Sequence, residues 1–128
     1  MEMGKQTILI VDDTPANIEI LSEVLSNEYE VLFATCGQDA LNIAFDQNPD
    51  LILLDVNMPG LSGIEVVKKL LDSPETRQIP VLVLTATDYN TGTESLFRKE
   101  KNVKGFMTKL APIDAIKGSL LRNLRRKE

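Results

Sequence analysis

The chain of 128 residues contains no histidine, no tryptophan and a single cysteine. The lack of histidine excludes the usual zinc ligands, the Ser-His and Cys-His catalytic pairs, and a phosphohistidine on this chain. Cys36 cannot form an internal disulfide, which is typical of a reducing compartment, and we expect it to be buried or half-buried. No apolar run approaches the roughly 18 residues of a membrane span, and the N-terminus lacks a signal-peptide pattern. A cytoplasmic location is therefore expected.

Acidic residues outnumber basic ones, with 19 Asp and Glu against 14 Lys and Arg and a net charge of -5. Nucleic-acid binding needs an excess of Lys and Arg to neutralise phosphates, so nucleic acid is not the expected partner of this domain. We interpret the basic stretch 122–128 as a solvated helix end. The length and the 43% of hydrophobic residues predict one domain over residues 1–128, with its core at about 7–124.

Five short apolar runs alternate with segments of helical periodicity. The run 51–54, Leu-Ile-Leu-Leu, lacks the alternation of a half-exposed strand, which predicts a strand buried on both faces. The other four runs are residues 7–11, 30–34, 81–84 and 104–107. This alternation predicts right-handed βαβ units and hence an α/β fold, in which helices cover both faces of a five-stranded parallel sheet.

The predicted helices have recognisable starts and apolar faces. Thr14 should cap the first helix with its hydroxyl, and Pro15 suits the first helical position. The last helix should start near Pro112. The fourth helix should be the least firmly held, because Leu96 and Phe97 are its only strong apolar residues. The apolar faces of the second and last helices are assigned to Ala40, Leu41, Ala44 and Phe45, and to Ile116, Leu120, Leu121 and Leu124.

Polar residues follow four of the five apolar runs. Ligands of parallel α/β sheets bind beyond the carboxyl ends of the strands, so these residues should converge on one rim. Carboxylates about 4 Å apart repel by about 4 kcal/mol per pair at an effective dielectric near 20, so such a cluster must bind a cation or take up protons. The residues concerned are Asp12, Asp13, Asp55, Thr85 and Lys109.

The chemistry of this group favours a magnesium ion and a phosphoryl group. Oxygen ligands without His or Cys suit a hard divalent ion, and Mg²⁺ typically takes one or two carboxylates and a phosphoryl oxygen. Lys109 adds a positive charge, and the Thr85 hydroxyl can donate to an anion. A carboxylate can attack phosphorus and form an aspartyl phosphate. The phosphoryl donor must come from outside, since the chain has neither histidine nor a nucleotide-binding loop.

Each residue of this group also has a simpler explanation when it is taken alone. Asp12 and Asp13 are typical of a helix start, and residues 55–57 of an Asx turn that ends a strand. Lys109 could be a surface charge, and Phe106 is more often plain core than part of a switch. The joint placement at four strand ends is what favours a functional site.

Four segments together resemble the receiver domain of two-component response regulators, which is CheY-like. They are ILIVDD, LILLDVNMPGLSGIEV, PVLVLTAT and GFMTK, in this order and spacing. The resemblance extends from about Thr7 to Leu124. It implies a doubly wound (βα)5 fold with the strand order 2-1-3-4-5, as in flavodoxin and CheY.

The resemblance assigns the phosphoacceptor and the metal ligands. It implies that Asp55 is the phosphoacceptor and that Asp13 is a direct ligand of Mg²⁺, or of Mn²⁺ in its place. Asp12 then assists through water, and Asn57 supplies its backbone carbonyl to the metal.

The resemblance also implies a phosphoryl-binding pair and a switch residue. Thr85 and Lys109 bind the phosphoryl oxygens, and Phe106 is the aromatic residue whose rotamer follows phosphorylation. The family usually has a proline directly after this lysine, whereas this chain has Leu110. A cis bond before a residue other than proline costs about 2.5 to 4 kcal/mol, so we expect a trans or locally rearranged loop here.

The implied function is a phosphorylation-controlled binding module that catalyses no reaction beyond its own phosphorylation and dephosphorylation. Its partners would be a sensor histidine kinase or histidine phosphotransfer protein and a downstream effector, with no membrane partner. A homodimer through helix 4, strand 5 and helix 5 is a further option, and the module could be stand-alone or part of a larger protein. One alternative is a phosphatase of the haloacid-dehalogenase type, which needs a second aspartate where this chain has Asn57. The other is a receiver-like scaffold that is never phosphorylated.

Overall fold

The computed structural model describes residues 5–56, 61–85 and 91–124. Five strands and five helices alternate within these residues. The strands are β1 (Thr7–Val11), β2 (Glu30–Ala34), β3 (Leu51–Asp55), β4 (Val81–Thr85) and β5 (Val103–Thr108). The helices are α1 (Pro15–Leu25), α2 (Gly37–Gln47), α3 (Gly63–Leu71), α4 (Thr91–Arg98) and α5 (Ile113–Asn123). The predicted alternation is confirmed, and strands β3, β4 and β5 extend slightly beyond the apolar runs.

The strands form one parallel sheet in the order β2-β1-β3-β4-β5, as expected. From β1 the chain first crosses to β2 at one edge and then returns to β3 on the other side. The strand order therefore reverses between β1 and β3. In sheets of this kind the crevice at the carboxyl ends of these two strands is the usual ligand position.

Two apolar clusters lie on opposite faces of the sheet. On one face, Leu25 of α1 and Leu120 of α5 pack over the strands. On the other face, Ala44 of α2, Val67 of α3 and Phe97 of α4 do the same. Every residue of β3 and β4 is buried, since both faces of these central strands are covered by helices. The run 51–54 is thus buried on both sides, as predicted.

Two residues assigned to apolar helix faces are exposed. Phe45 is 46% exposed and Leu121 is 68% exposed, so both assignments were wrong. Each of them follows a fully buried neighbour, Ala44 or Leu120. Successive residues of an α-helix point about 100° apart, so the neighbour takes the position that faces the sheet.

The start of α1 differs from the prediction in one detail. Pro15 is its first residue and Thr14 its N-cap, but the Thr14 hydroxyl caps no helical N–H. The Thr14 backbone N–H instead donates to Asp12 Oδ1 at 2.9 Å, and the Thr14 carbonyl accepts the N–H groups of Asn17 and Ile18. The turn into α1 is therefore stabilised by the carboxylate of Asp12.

Two other expectations agree with the structure. Cys36 is half-buried at the N-cap of α2, as predicted. Pro112 is the N-cap of α5, next to the expected start of that helix. Among the described residues, no helix combines the length and the apolar character that crossing a membrane requires.

Candidate functional site

Three carboxylates meet at the crevice between β1 and β3. Asp12 follows β1 directly and Asp55 is the last residue of β3. Carboxylate oxygens of Asp12, Asp13 and Asp55 all lie within 4.8 Å of one another. Asp12 and Asp55 are buried, whereas Asp13 is exposed. The predicted convergence of these side chains at one rim of the sheet is confirmed by their positions.

Lys109 lies between two of these carboxylates. Its Nζ is 2.9 Å from Asp12 Oδ2 and 3.2 Å from Asp55 Oδ1. Burial lowers the pKa of Lys109, but the hydrogen bond to Asp12 and the charges of Asp55 and Asp12 outweigh it and raise the pKa above its ordinary value. Lys109 is therefore protonated at neutral pH. Three carboxylates facing one ammonium leave an excess of negative charge, which favours a bound cation.

The backbone around Lys109 is held by β4. The N–H of Lys109 donates to the carbonyl oxygen of Thr85 at 2.7 Å. The described peptide bonds, including Lys109–Leu110, are trans, as expected for a leucine at this position. Leu110 itself is 73% exposed. Lys109 thus contacts the acidic cluster although the next residue is leucine and not the proline that is usual in the family.

The expected switch residues lie on the neighbouring strands. Thr85 is the buried last residue of β4, and Phe106 is buried on β5. The ring of Phe106 packs against that of Phe97 with their centroids 5.9 Å apart and a tilt of 52°. Of the two apolar residues expected to hold α4, Phe97 is buried and Leu96 is exposed. The aromatic pair is therefore a direct link from β5 to α4.

Two sequence-based assignments fall where the structure gives no description. Asn57, the expected carbonyl ligand, lies outside the described residues. Residues 125–128 of the basic stretch do so too.

Comparison with known proteins supplies the family. Residues 8–120 match the response regulator receiver domain family. The chain belongs to this family. It is 44% identical over 110 residues to the response regulator PleD of Caulobacter vibrioides, covering 85% of this chain but only 23% of PleD. It is 35% identical over 108 residues to protein PilH of Pseudomonas aeruginosa, covering 84% of this chain and 86% of PilH.

Solved receiver structures have the same fold. Chemotaxis protein CheY4 of Vibrio cholerae matches with a TM-score of 0.86 and 28% identity, covering 94% of this chain and 100% of the CheY4 chain. The receiver domain of sensor histidine kinase PA1611 from Pseudomonas aeruginosa matches with a TM-score of 0.83 and 25% identity, covering 94% and 98% of the two chains. The protein is therefore a receiver with a CheY-like fold. Neither the phosphatase nor the unphosphorylated scaffold is supported by these comparisons.

Receiver domains bind Mg²⁺ at an acidic pocket, and the PA1611 receiver has a magnesium ion coordinated in its active-site cleft. The donor set of this receiver fits such an ion. Its three clustered side chains offer only carboxylate oxygens, the ligands that Mg²⁺ prefers. Their excess of negative charge over Lys109 gives a further electrostatic reason for a divalent cation.

Two residues of the receiver site were missed by the sequence analysis. Asn17 donates from Nδ2 to Asp12 Oδ2 at 3.3 Å and so helps to orient that carboxylate. Gly63, the first residue of α3, lies so close to β3 that a Cβ would be 2.9 Å from the carbonyl oxygen of Asp55. Asn17 lies in the first turn of the helix that follows Asp12. Its contact with Asp12 could therefore have been predicted from the sequence. The close approach at Gly63 depends on how α3 packs and leaves no comparable signal.

A groove opens beside Lys109 between α1 and α5. Asp12, Asn17 and Lys109 line its polar end. Ile20, which is mainly exposed, contributes to its apolar part. The other apolar lining residues are Leu21, Leu84, Ala111, Ile113 and Ile116. The receiver thus has an open apolar surface directly next to its acidic cluster.

Proposed function

We propose that this receiver is a phosphorylation-controlled binding module whose phosphoacceptor is Asp55. The observation that carries the proposal is the meeting of three carboxylates and Lys109 at the carboxyl edge of the sheet. Asp55 ends β3 in this group, with Lys109 Nζ 3.2 Å from its carboxylate. A phosphoryl group on Asp55 would therefore lie next to the positive charge of Lys109, which stabilises its oxygens.

Phosphorylation is a displacement at phosphorus. A carboxylate oxygen of Asp55 attacks the phosphorus of a phosphohistidine, and the P–N bond breaks. Its electron pair goes to the imidazole nitrogen, which takes up a proton from solvent. Lys109 and the Thr85 hydroxyl donate to the phosphoryl oxygens during transfer. In dephosphorylation a water oxygen attacks phosphorus, the bond to Asp55 breaks, and inorganic phosphate leaves.

Asp12, Asp13 and Asp55, with the backbone carbonyl of Asn57, are the residues we assign to Mg²⁺. Bound Mg²⁺ neutralises the negative charge of the carboxylates and of the incoming phosphoryl oxygens. The closeness of the three carboxylates supports this assignment. The role of Asn57 rests on the family resemblance alone. Mn²⁺ has the same preference for oxygen ligands and should substitute for Mg²⁺.

The switch proposed for this receiver runs from Thr85 through Phe106 to α4. The Thr85 hydroxyl turns toward the phosphoryl group, and Phe106 follows into the space that it leaves. Because Phe106 packs on Phe97, this movement repositions α4. The surface formed by α4, β5 and α5 then changes its affinity for a downstream effector, and a homodimer would use the same surface.

A sensor histidine kinase or a histidine phosphotransfer protein is the phosphoryl donor that we propose. The groove between α1 and α5 supports this, because a partner seated on its apolar part would bring a phosphohistidine to the adjacent acidic cluster. The same proposal has three further parts. Residues 1–128 form a single receiver domain, the protein is cytoplasmic, and it catalyses its own dephosphorylation.

Treatment with acetyl phosphate and Mg²⁺, followed by Phos-tag electrophoresis and mass spectrometry, tests the proposal. We expect one phosphoryl group on the wild-type protein and none on Asp55→Asn or after removal of Mg²⁺ with EDTA. Asp46→Asn, which makes the same change at an exposed aspartate of α2, should be labelled like the wild type. The proposal fails if the wild type is not labelled or if Asp55→Asn is labelled equally. Turnover of p-nitrophenyl phosphate should be negligible.

A further inference from the structure

Three consecutive backbone N–H groups hold the segment that carries Lys109. The N–H of Lys109 donates to the carbonyl oxygen of Thr85 at 2.7 Å. The N–H of Leu110 donates to the side-chain hydroxyl oxygen of Thr108 at 3.1 Å. The N–H of Ala111 donates to the carbonyl oxygen of Thr108 at 3.0 Å. Two of these three hydrogen bonds thus end on Thr108, and one of them depends on its side chain.

We propose that Thr108 is a positioning residue for Lys109. Its hydroxyl accepts the N–H of the residue after Lys109 and so fixes the turn from which the lysine side chain starts. This inference rests on the proposed function in so far as Lys109 binds the phosphoryl group. It adds a residue that acts on phosphoryl binding without touching the phosphoryl group.

The geometry of Lys109 makes such support necessary. Its Nζ contacts two carboxylates, at 2.9 Å from that of Asp12, just after β1, and 3.2 Å from that of Asp55, at the end of β3. A lysine side chain is long and flexible, so the positions that its Nζ can occupy depend on the direction of the Cα–Cβ bond, which the backbone sets. A small rotation of the turn would move Nζ away from one carboxylate or both.

Leu110 contributes to this turn through its backbone. Its side chain is 73% exposed, so packing does little to hold the residue in place. A leucine also leaves its φ angle free, unlike a residue with a ring closed onto its nitrogen. The hydrogen bond from its N–H to Thr108 is therefore the local constraint that follows Lys109 directly in the chain.

The reactivity of the Lys109 amine tests the positioning directly and without phosphorylation. Thr108→Val removes the hydroxyl and keeps the β-branched shape, whereas Thr108→Ser keeps the hydroxyl. Limited reductive methylation, resolved by peptide mass spectrometry, compares Lys109 with the exposed Lys104 of β5 in the same protein. Thr108→Val should raise the relative reactivity of Lys109 about fivefold, the factor that corresponds to one ordinary hydrogen bond. Thr108→Ser should match the wild type.

The rate of labelling by acetyl phosphate and Mg²⁺ tests the consequence for function. Thr108→Val should lower the rate about fivefold, by the same hydrogen-bond factor, and Thr108→Ser should restore it. Thr35→Val, at an exposed threonine after β2, is the matched control and should leave the rate unchanged. In a Lys109→Ala background, Thr108→Val should have no further effect, since the residue that it positions is gone.

Two results would overturn the positioning role. One is unchanged Lys109 reactivity in Thr108→Val. The other is an equal loss of labelling rate from Thr108→Val with and without Lys109, which would indicate general support of the fold. If no variant is labelled at all, the proposed function fails while the methylation result still decides the role of Thr108. Thermal unfolding of each variant, with Thr108→Ala made in parallel, ensures that folded protein is compared.

Discussion

Gly63 places the start of α3 against the backbone of the strand that carries Asp55. A Cβ at this position would lie 2.9 Å from the carbonyl oxygen of Asp55 and 3.1 Å from that of Val56. Both oxygens belong to the backbone at the end of the buried strand β3. The added Cβ therefore cannot displace them without also moving the Asp55 carboxylate. The missing side chain at residue 63 is thus a condition for the geometry of the site.

Gly63→Ala should therefore reduce both stability and phosphorylation. We expect a loss of about 1 to 3 kcal/mol in the free energy of unfolding, the usual cost of overpacking, together with slower labelling of Asp55. Urea unfolding and the acetyl phosphate assay measure the two effects.

Gly118→Ala in α5 is the matched control. The Cβ added there would meet only the flexible end of Arg122, at 3.3 Å. Alanine is the better helix former, so this variant should gain about 0.5 to 1 kcal/mol. Equal stability changes in the two variants would show that the close approach at Gly63 is unimportant.

The residues of the site differ in how far the sequence could predict them. Asp12, Asp55 and Lys109 were predictable because the carboxyl ends of parallel strands meet at one edge of the sheet. Gly63 was not, because its role depends on the packing of a helix against a strand. The hydrogen bond of Thr108 was not predictable either, since it requires the dihedral angles of the turn.

Among the helices whose N-caps the structure describes, α3 has the most complete one. The Ser62 N–H donates to Glu65 Oε1 at 3.0 Å, and the Glu65 N–H donates to Ser62 Oγ at 3.4 Å, forming a capping box. The hydrogen bond from the Ser62 backbone, followed by that from its hydroxyl, lowers the pKa of Glu65 below its ordinary value. The cap is thus coupled to the protonation of Glu65.

This coupling predicts a pH-dependent contribution of Glu65 to stability. Because the pKa is lower in the folded than in the unfolded protein, the contribution is present above the ordinary pKa of glutamate and is lost as the pH falls through the lowered one. The wild type should therefore have a higher melting temperature than Glu65→Gln at neutral pH, and the difference between the two melting temperatures should shrink in acid. Thermal unfolding of both proteins from neutral to acidic pH measures this. A difference that stays constant or grows in acid would contradict the prediction.

At the scale of elements, strands were easier to predict than the orientation of helices. The run 51–54 marks β3 because both of its faces are covered, which removes any ambiguity of alternation. In α5, by contrast, Leu120 and Leu121 are adjacent apolar residues, and the predicted apolar face was too wide because it included both. The structure buries Leu120, which is four residues from both Ile116 and Leu124 and so lies on the same face, whereas Leu121 is five residues from Ile116 and is exposed.

For the whole molecule, the alternation of strands and helices was enough to predict a parallel sheet covered on both faces. The order of the strands was not contained in that pattern, since a βαβ unit can extend the sheet at either side of its first strand. It came from the family resemblance and is confirmed. The extent of the domain over residues 1–128 stays a prediction.

The two apolar clusters lie on opposite faces of the sheet, and we expect them to contribute independently to the free energy of unfolding. Ile18 of α1 belongs to one cluster, and Ile79, just before β4, belongs to the other. Groups without shared neighbours contribute independently to stability, so the effects of Ile18→Val and Ile79→Val, each about 0.5 to 1.5 kcal/mol, should add to within about 0.5 kcal/mol in the double variant. Urea unfolding of the four proteins measures the sum, and a larger deviation would contradict this prediction. If the two effects add, the two apolar clusters contribute independently to the free energy of unfolding, although they belong to one domain.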